Sequence, residues 1–227
     1  MKQIKNLSIE TRRFIHSLLF PLFFQLVIWM VWLVASVWSL DLAPLGILPR
    51  HISGLKGILF APLIHAGFDH LASNALPLFL LMWAVLYFYR TIAYRVFFIS
   101  WIAVGLLVWA GGREAYHIGA SGIIYSLAAF LFFSGIIRNY IPLMAISLLV
   151  AFLYGSMVWG MFPTIPKISW ESHMLGAVAG IFLAIIYRKQ GPQPPPPFWD
   201  TEEDDEDSCN DDENKPTGTF PFDTTNK

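Results

Sequence analysis

The sequence has little cysteine and no strong cluster of basic residues. Its one cysteine, Cys209, leaves no partner for an intramolecular disulfide and argues against a cysteine-based metal site or a cysteine nucleophile. Lysine and arginine never occur in runs of more than two, which argues against a nucleic-acid partner. The apolar segments that carry the polar groups discussed below contain a single carboxylate, Asp69, at the start of one of them.

Apolar residues dominate what is present. The 227 residues are 56% hydrophobic, and the mean hydropathy of +0.54 is that of a membrane protein. The net charge of −1 hides an asymmetry, because eleven of the sixteen acidic residues lie within residues 200–223. Residues 191–197 are mostly proline. We therefore expect residues 190–227 to form a disordered cytoplasmic tail.

Six apolar windows are long enough to cross a bilayer as helices. They fall at about 15–38, 68–89, 94–111, 119–138, 141–160 and 172–188. They lack the alternation of barrel strands, so we predict an all-α membrane protein with a six-helix bundle over residues 14–189. Residues 1–13 would form a cytoplasmic amino terminus, and residues 40–67, partly at the membrane interface, the main outer loop.

The distribution of lysine and arginine predicts the orientation. With the amino terminus inside, nine basic residues near the spans face the cytoplasm and four face outward. Both termini are then cytoplasmic. Since we recognise no organelle-targeting segment, we expect a multi-pass protein of the bacterial inner membrane.

Polar groups interrupt the second, fourth and sixth spans close to their starts. In the predicted topology these spans all run inward, so the groups share one outer depth. Polar side chains in hydrocarbon are costly unless paired or functional. The groups are His65, His70 and Asn74; Gly119, Ala120, Ser121 and Gly122; and His173 with Gly176 and Gly180.

Ser121 opens the fourth span, where unpaired N–H groups and the helix dipole suit a developing oxyanion. Flanking glycines permit close approach of a substrate backbone. Ser121 is therefore a candidate nucleophile. The alternative is a small-residue packing site in which the hydroxyl bonds to a carbonyl.

His173 opens the sixth span beside a small-residue face formed by Gly176 and Gly180. Close packing on the fourth span would bring it to Ser121 as general base and acid. The alternative is an interfacial histidine paired with a headgroup or a carbonyl. We interpret Glu171 as a solvated loop charge, with tuning of the imidazole as the alternative, and a dyad as simpler than a triad that recruits Asp69, Glu114 or Glu171.

His70 and Asn74 lie four residues apart on one helical face. Together they supply N–H donors able to hold an oxyanion, or else they form a polar clamp between helices. His117 lies four residues before Ser121, and we expect it to support that loop. A third possibility is haem or metal ligation by His65, His70, His117 and His173.

These segments together resemble the rhomboid family of intramembrane serine proteases. The resemblance covers the six-helix core and is carried by residues 65–74 (HAGFDHLASN), 119–122 (GASG) and 173–180 (HMLGAVAG). One departure is Lys56-Gly57, where many members have Trp-Arg in the first outer loop. The family implies no metal or organic cofactor, and its substrates are single-span transmembrane proteins cut in or beside the lipid bilayer.

The resemblance also implies roles for individual residues. Ser121 would be the nucleophile and His173 the general base, with His70, Asn74 and the Ser121 N–H as the oxyanion hole. The supporting residues would be Gly119 and Gly122 in the turn, Tyr125 against the imidazole, the structural His65, and Gly176 and Gly180. A non-catalytic relative that binds transmembrane helices is the alternative function.

Overall fold

The computed structural model of the protein describes residues 8–163 and 169–195. Within these ranges the chain is helical, with one isolated antiparallel bridge between Ile47 and His117. The prediction of an all-α protein is confirmed for this part of the chain. Most of the predicted tail, residues 196–227, lies outside it. The α-helices are α1 Ile9–Val37, α2 Gly57–Phe60, α3 Phe68–Phe88, α4 Ala93–Gly111, α5 Ser121–Arg138, α6 Ile141–Tyr154 and α7 Trp170–Ile186.

Four of these helices, α1, α3, α4 and α5, are long and apolar enough to cross a membrane. The chain is accordingly an integral membrane protein. Helices α6 and α7 have 14 and 17 residues, which gives about 21 and 26 Å of helix against roughly 30 Å of hydrocarbon. A 3₁₀ segment, Gly155–Met161, extends α6. The count of six crossings stays a prediction.

Two helix boundaries differ from those expected from the apolar windows. Helix α1 begins at Ile9, because the Ser8 hydroxyl accepts a hydrogen bond from the Thr11 N–H at 3.2 Å and caps the helix. Part of the expected cytoplasmic terminus is therefore helical. Helix α5 begins only at Ser121, because Gly119 has φ +107°, outside the helical region.

Helix α5 lies at the centre of the bundle and is buried along most of its length. Small residues bring it against α7: a Cβ added at Gly176 would overlap the Gly122 carbonyl, and one added at Gly180 would overlap the Ser126 carbonyl. Ser126 also donates to Ser100 on α4 at 2.9 Å. Residues with larger side chains would separate these helices and move the residues at their amino-terminal ends apart.

At its other end, α5 holds the end of α7 through Arg138, which is only 6% exposed. The guanidinium donates to the carbonyls of Tyr187 at 2.6 Å and Gln190 at 2.7 Å. The last carbonyls of a helix carry partial negative charge, so a cation is stabilised there without a carboxylate partner.

The outer segment, residues 40–67, folds into short turns around α2 and packs on α4. A Cβ at Gly57 would overlap the backbone at Gly46 and Ile47, so Lys56-Gly57 lies where two chain segments touch. The Trp101 indole donates to the Ile58 carbonyl at 2.8 Å. This segment therefore has a packed conformation held against the bundle.

Candidate active site

Ser121 is the first residue of α5 and follows a tightly held turn. The Gly119 N–H donates to the Ala61 carbonyl at 2.8 Å, which ties the turn to the outer segment. Ala120 is fully buried, and its carbonyl accepts the first N–H bonds of the helix, from Ile123 and Ile124. The N–H groups of Ser121 and Gly122 precede these bonds and have no intrahelical acceptor, so the hydroxyl lies beside backbone donors.

The His70 ring lies directly against Gly119. A Cβ built on Gly119 would be 2.7 Å from both Cε1 and Nε2 of His70, so a side chain there would displace the imidazole. The Ala66 N–H donates to His70 Nδ1 over a long 3.5 Å contact. In a neutral ring this leaves Nε2 as the N–H donor, facing the turn that leads into Ser121.

Asn74 is buried one turn further along α3, with 6% of its surface exposed. Its amide nitrogen donates to the His70 carbonyl at 2.7 Å, within the same helix. One of the two amide protons is thereby used, and one remains for a ligand.

His173 lies in the first turn of α7 and is 8% exposed. Its Nδ1 lies 2.8 Å from the Gly160 carbonyl, which can only accept, so Nδ1 carries the proton and donates. Its ring stacks on Tyr125 with centroids 4.2 Å apart and planes 9° from parallel. Nε2 is therefore the unprotonated nitrogen of the neutral ring, as a general base requires.

The contact between α5 and α7 brings Ser121 and His173 to the same end of the bundle. A Cβ at Gly122 would be 3.3 Å from the Ser172 carbonyl, so the residues adjoining Ser121 and His173 touch. Among residues 8–163 and 169–195, no hydrogen bond joins the Ser121 hydroxyl to His173. In enzymes without substrate such bonds are often long and form only in the complex.

Gly160 is a residue of the candidate site that the sequence analysis missed. In the structure its carbonyl holds the imidazole, and a Cβ there would overlap the Tyr125 hydroxyl and lie 3.2 Å from His173 Nδ1. Every residue has a carbonyl, so residue type carries no signal for this role. The small size of Gly160 is the one indication that its surroundings are close.

A chain of hydrogen bonds links the loop before α5 to the start of α7. The His117 Nε2–H donates to the Arg113 carbonyl at 3.0 Å, which leaves Nδ1 as the acceptor for the Ser169 hydroxyl at 2.5 Å. Ser169 in turn accepts from the Ser172 hydroxyl at 2.6 Å. Since Ser172 precedes His173, this chain fixes the distance between the loop and the imidazole.

An ion pair joins the same two segments. Glu171 is 5% exposed and lies 3.7 Å from Arg113, so the interpretation of Glu171 as a solvated loop charge is wrong. The ion pair and the hydrogen-bond chain together are termed the loop clamp. The pKa of His117 is lowered overall, chiefly by burial and also by the Arg113 charge. The Arg113 carbonyl and the Glu171 charge oppose this shift without reversing it. The neutral form that the clamp uses is therefore favoured.

His65 is buried behind His70, and their rings meet edge to face at 5.0 Å. Neither nitrogen of His65 has a hydrogen-bond partner in the described part of the chain. Burial, helped by the nearby His70 and opposed by a backbone contact with Leu63, lowers the pKa of His65 to about 4. His65 is thus a neutral packing group beneath His70. Across residues 8–163 and 169–195, no three His, Cys, Asp or Glu side chains are grouped to hold a metal ion.

An apolar cavity of about 460 Å³ lies beside Tyr125. It is formed between α5, α6 and α7, with Tyr154, Met174 and Val178 among its lining residues. Because Tyr125 also stacks on His173, the cavity adjoins the candidate base. An apolar segment entering from the lipid could occupy it without desolvating a charge.

Sequence comparisons relate the chain to known proteins. The family model described as Rhomboid domain matches residues 53–190. The uncharacterized protein Rv1337 of Mycobacterium tuberculosis is 37% identical over 155 residues, covering 62% of this chain and 62% of its own length. Mb1372 of Mycobacterium bovis gives the same values. ML1171 of Mycobacterium leprae is 32% identical over 142 residues, covering 58% of this chain and 56% of its own length. The chain therefore spans less than two thirds of these relatives.

Proposed function

Because the chain belongs to the rhomboid family, we propose that it is an intramembrane serine endopeptidase acting on single-span transmembrane proteins. Ser121 is the nucleophile and His173 the general base. The observation that carries the proposal is the state of His173: its Nδ1–H is bound to the Gly160 carbonyl and its ring lies flat on Tyr125, near the start of α5. An imidazole held in one tautomer and one plane is ready to accept a proton at Nε2.

The proposed reaction has two halves. In the first, His173 Nε2 takes the hydroxyl proton as Ser121 Oγ attacks the scissile carbonyl, and the proton then passes to the leaving amine. In the second, His173 removes a proton from water, which attacks the acyl carbonyl. The bond to Ser121 Oγ then breaks, Oγ takes the proton from His173, and the carboxylate product leaves. Water must reach Ser121 from the outer aqueous side, because hydrocarbon supplies none.

The tetrahedral intermediate carries a negative oxygen that needs preorganised donors. The proposed set is the His70 Nε2–H, the remaining Asn74 amide proton and the Ser121 N–H. His70 has Nδ1 against the Ala66 N–H, and Asn74 is held to the His70 carbonyl, so both donors are oriented before substrate binds. Removing one such donor reduces kcat by roughly 10²- to 10³-fold in other serine hydrolases.

The membrane arrangement is part of the proposal. Every helix except α2 crosses the bilayer. Helices α6 and α7 are shorter than the hydrocarbon thickness, and the segments that flank them complete the crossing. Both termini face the cytoplasm, as the nine-to-four excess of basic residues indicates. The site then opens toward the outer face of a bacterial inner membrane. The apolar cavity beside Tyr125 supports entry of a substrate helix from the lipid.

One observation favours the competing function, a helix-binding protein without chemistry. Ser121 and His173, both within the described residues, share no hydrogen bond. A binder would need neither the fixed tautomer of His173 nor oriented donors on His70 and Asn74.

The test uses the full-length protein in liposomes with a single-span substrate that contains helix-breaking residues. We expect cleavage by the wild type and none by Ser121→Ala or His173→Ala, with all three proteins inserted equally. A serine-directed phosphonate should label the wild type at Ser121. Cleavage at the wild-type rate by both variants would refute the dyad, and substrate binding without cleavage or labelling would favour the binder.

A further inference from the structure

A polar cavity lies at the end of the bundle opposite to His70. It measures about 300 Å³ and forms where α1 begins, α3 ends and α4 begins. Leu86, on its wall, is about 24 Å along α3 from His70, so the cavity is remote from the candidate active site. Its polar lining residues are Arg12, Arg13, His16, Ser17, Arg90 and Tyr94.

Positive charge dominates this cavity, which is termed the basic cavity. Arg13 is already engaged: it donates to the Tyr87 carbonyl at 2.6 and 2.9 Å and lies 3.7 Å from Glu10. Arg12 and Arg90 add two further guanidinium groups, and among the described residues that line the cavity none is acidic, with Glu10 lying beside it against Arg13. An anion entering the cavity therefore gains electrostatic attraction from more than one arginine.

An apolar strip extends from the basic cavity along the outside of two helices. Leu19 and Phe23 follow His16 on one face of α1 and are 56% and 61% exposed. On α4, Phe98 follows Tyr94 by one turn and is 50% exposed. Aromatic contacts between α1 and α4 hold the two faces side by side. The strip thus leads from the cations toward the middle of the bundle.

A ligand with an anionic head and apolar chains matches both features. We propose that the basic cavity binds the phosphate of an anionic phospholipid, whose acyl chains lie along the strip. Cationic cavities between helix ends at a membrane surface suit such headgroups. A free phosphate or a soluble organophosphate carries the same charge but leaves the strip unused, so the lipid is the occupant that accounts for both.

The test measures lipid binding to the purified full-length protein by native mass spectrometry in neutral detergent. Phosphatidylglycerol, phosphatidylcholine and inorganic phosphate are titrated separately. We expect phosphatidylglycerol to bind most tightly. The Arg12→Gln/Arg90→Gln variant should lose roughly thirtyfold in affinity, if each arginine contributes about 1 kcal/mol.

Two further variants make the result specific. Arg95→Gln removes an exposed charge of α4 that does not line the cavity, and it should keep the wild-type affinity. Leu19→Ser should weaken phosphatidylglycerol binding without affecting any binding of inorganic phosphate. Thermal unfolding without added lipid checks that each variant is folded.

Three outcomes would overturn the proposal. The first is equal phosphatidylglycerol affinity in the wild type and the double arginine variant. The second is an equal loss in Arg95→Gln, which would indicate diffuse surface charge. The third is inorganic phosphate binding as tightly as phosphatidylglycerol, which would indicate a soluble anion. None of these readouts uses peptidase activity, so the lipid-binding proposal and the protease proposal are tested independently of each other.

Discussion

The imidazole of His173 lies flat on the phenol ring of Tyr125, with ring centroids 4.2 Å apart and planes 9° from parallel. Tyr125 is one helical turn after Ser121, so it shares a face of α5 with the candidate nucleophile. The stack sets the plane of the imidazole, and the bond to the Gly160 carbonyl sets which nitrogen is protonated. Two neutral contacts thus orient the imidazole of the candidate base.

Replacing Tyr125 tests whether the stack matters for activity. Tyr125→Leu removes the aromatic surface under the imidazole, and we expect cleavage to fall by roughly 2- to 12-fold, the equivalent of 0.5–1.5 kcal/mol. Tyr125→Phe keeps the ring and should lose less than Tyr125→Leu. Initial rates on a saturating substrate, with circular dichroism to check folding, measure the difference. Equal rates in the leucine and phenylalanine variants would contradict a role for stacking.

Gly160→Ala tests the close contact around the base. Its Cβ would overlap the Tyr125 hydroxyl and lie 3.2 Å from His173 Nδ1, so the ring stack must shift and we expect at least a tenfold loss of kcat. Gly155→Ala is the matched control, because nothing lies within 4 Å of a Cβ there. Adding Tyr125→Phe to Gly160→Ala removes the overlapping oxygen and should restore part of the rate. A Gly160→Ala enzyme as active as Gly155→Ala would contradict the close packing of Gly160 against Tyr125 and His173.

The ion pair of the loop clamp can be tested with a double-mutant cycle on Arg113 and Glu171. Glu171 is buried, so we expect the two residues to be coupled by roughly 0.5–3 kcal/mol in the free energy of unfolding. His51 and Glu114 form the matched control, since both side chains are largely exposed at 49% and 70%. That pair should contribute about 0–1 kcal/mol. Reversible unfolding in mixed micelles gives both values, and equal coupling in the two cycles would contradict a buried clamp.

Because His65 is buried in its neutral form, we expect the protein to lose stability in acid. Unfolded His65 binds a proton below its ordinary pKa of 6.5, whereas the folded residue does so only near pH 4. The stabilisation is therefore complete above pH 6.5 and is lost as the pH falls toward 4, by roughly 3 kcal/mol. Burial of His117 acts in the same direction. His65→Phe should unfold with a weaker pH dependence in this window, and an unchanged dependence would contradict the buried neutral state.

Much of the candidate site was readable from the sequence. Ser121, His173, His70 and Asn74 stand out because polar side chains in apolar windows are rare and their positions recur at one depth. The roles assigned to them stay predictions until the variants are measured. The all-helical fold was readable for a similar reason, since hydrocarbon leaves a single chain few other ways to pair its backbone.

Other features were not readable. Glu171 in the sequence is one acid near the start of a helix, and only the packing of the loop against α7 makes it buried and paired with Arg113. The start of α5 was misjudged by two residues because hydropathy does not report the positive φ of Gly119. The lengths of α6 and α7 were likewise not evident from their apolar windows.

The sequence by itself determined that this is a helical membrane protein with one set of polar residues at one end of three helices. Those properties follow from side-chain chemistry and its periodicity, which are local. The tertiary structure alone decided the tautomer of His173, through a carbonyl thirteen residues away, and the position of His70 against Gly119. Carbonyls and close contacts belong to every residue type, so their use depends on which segments the fold brings together.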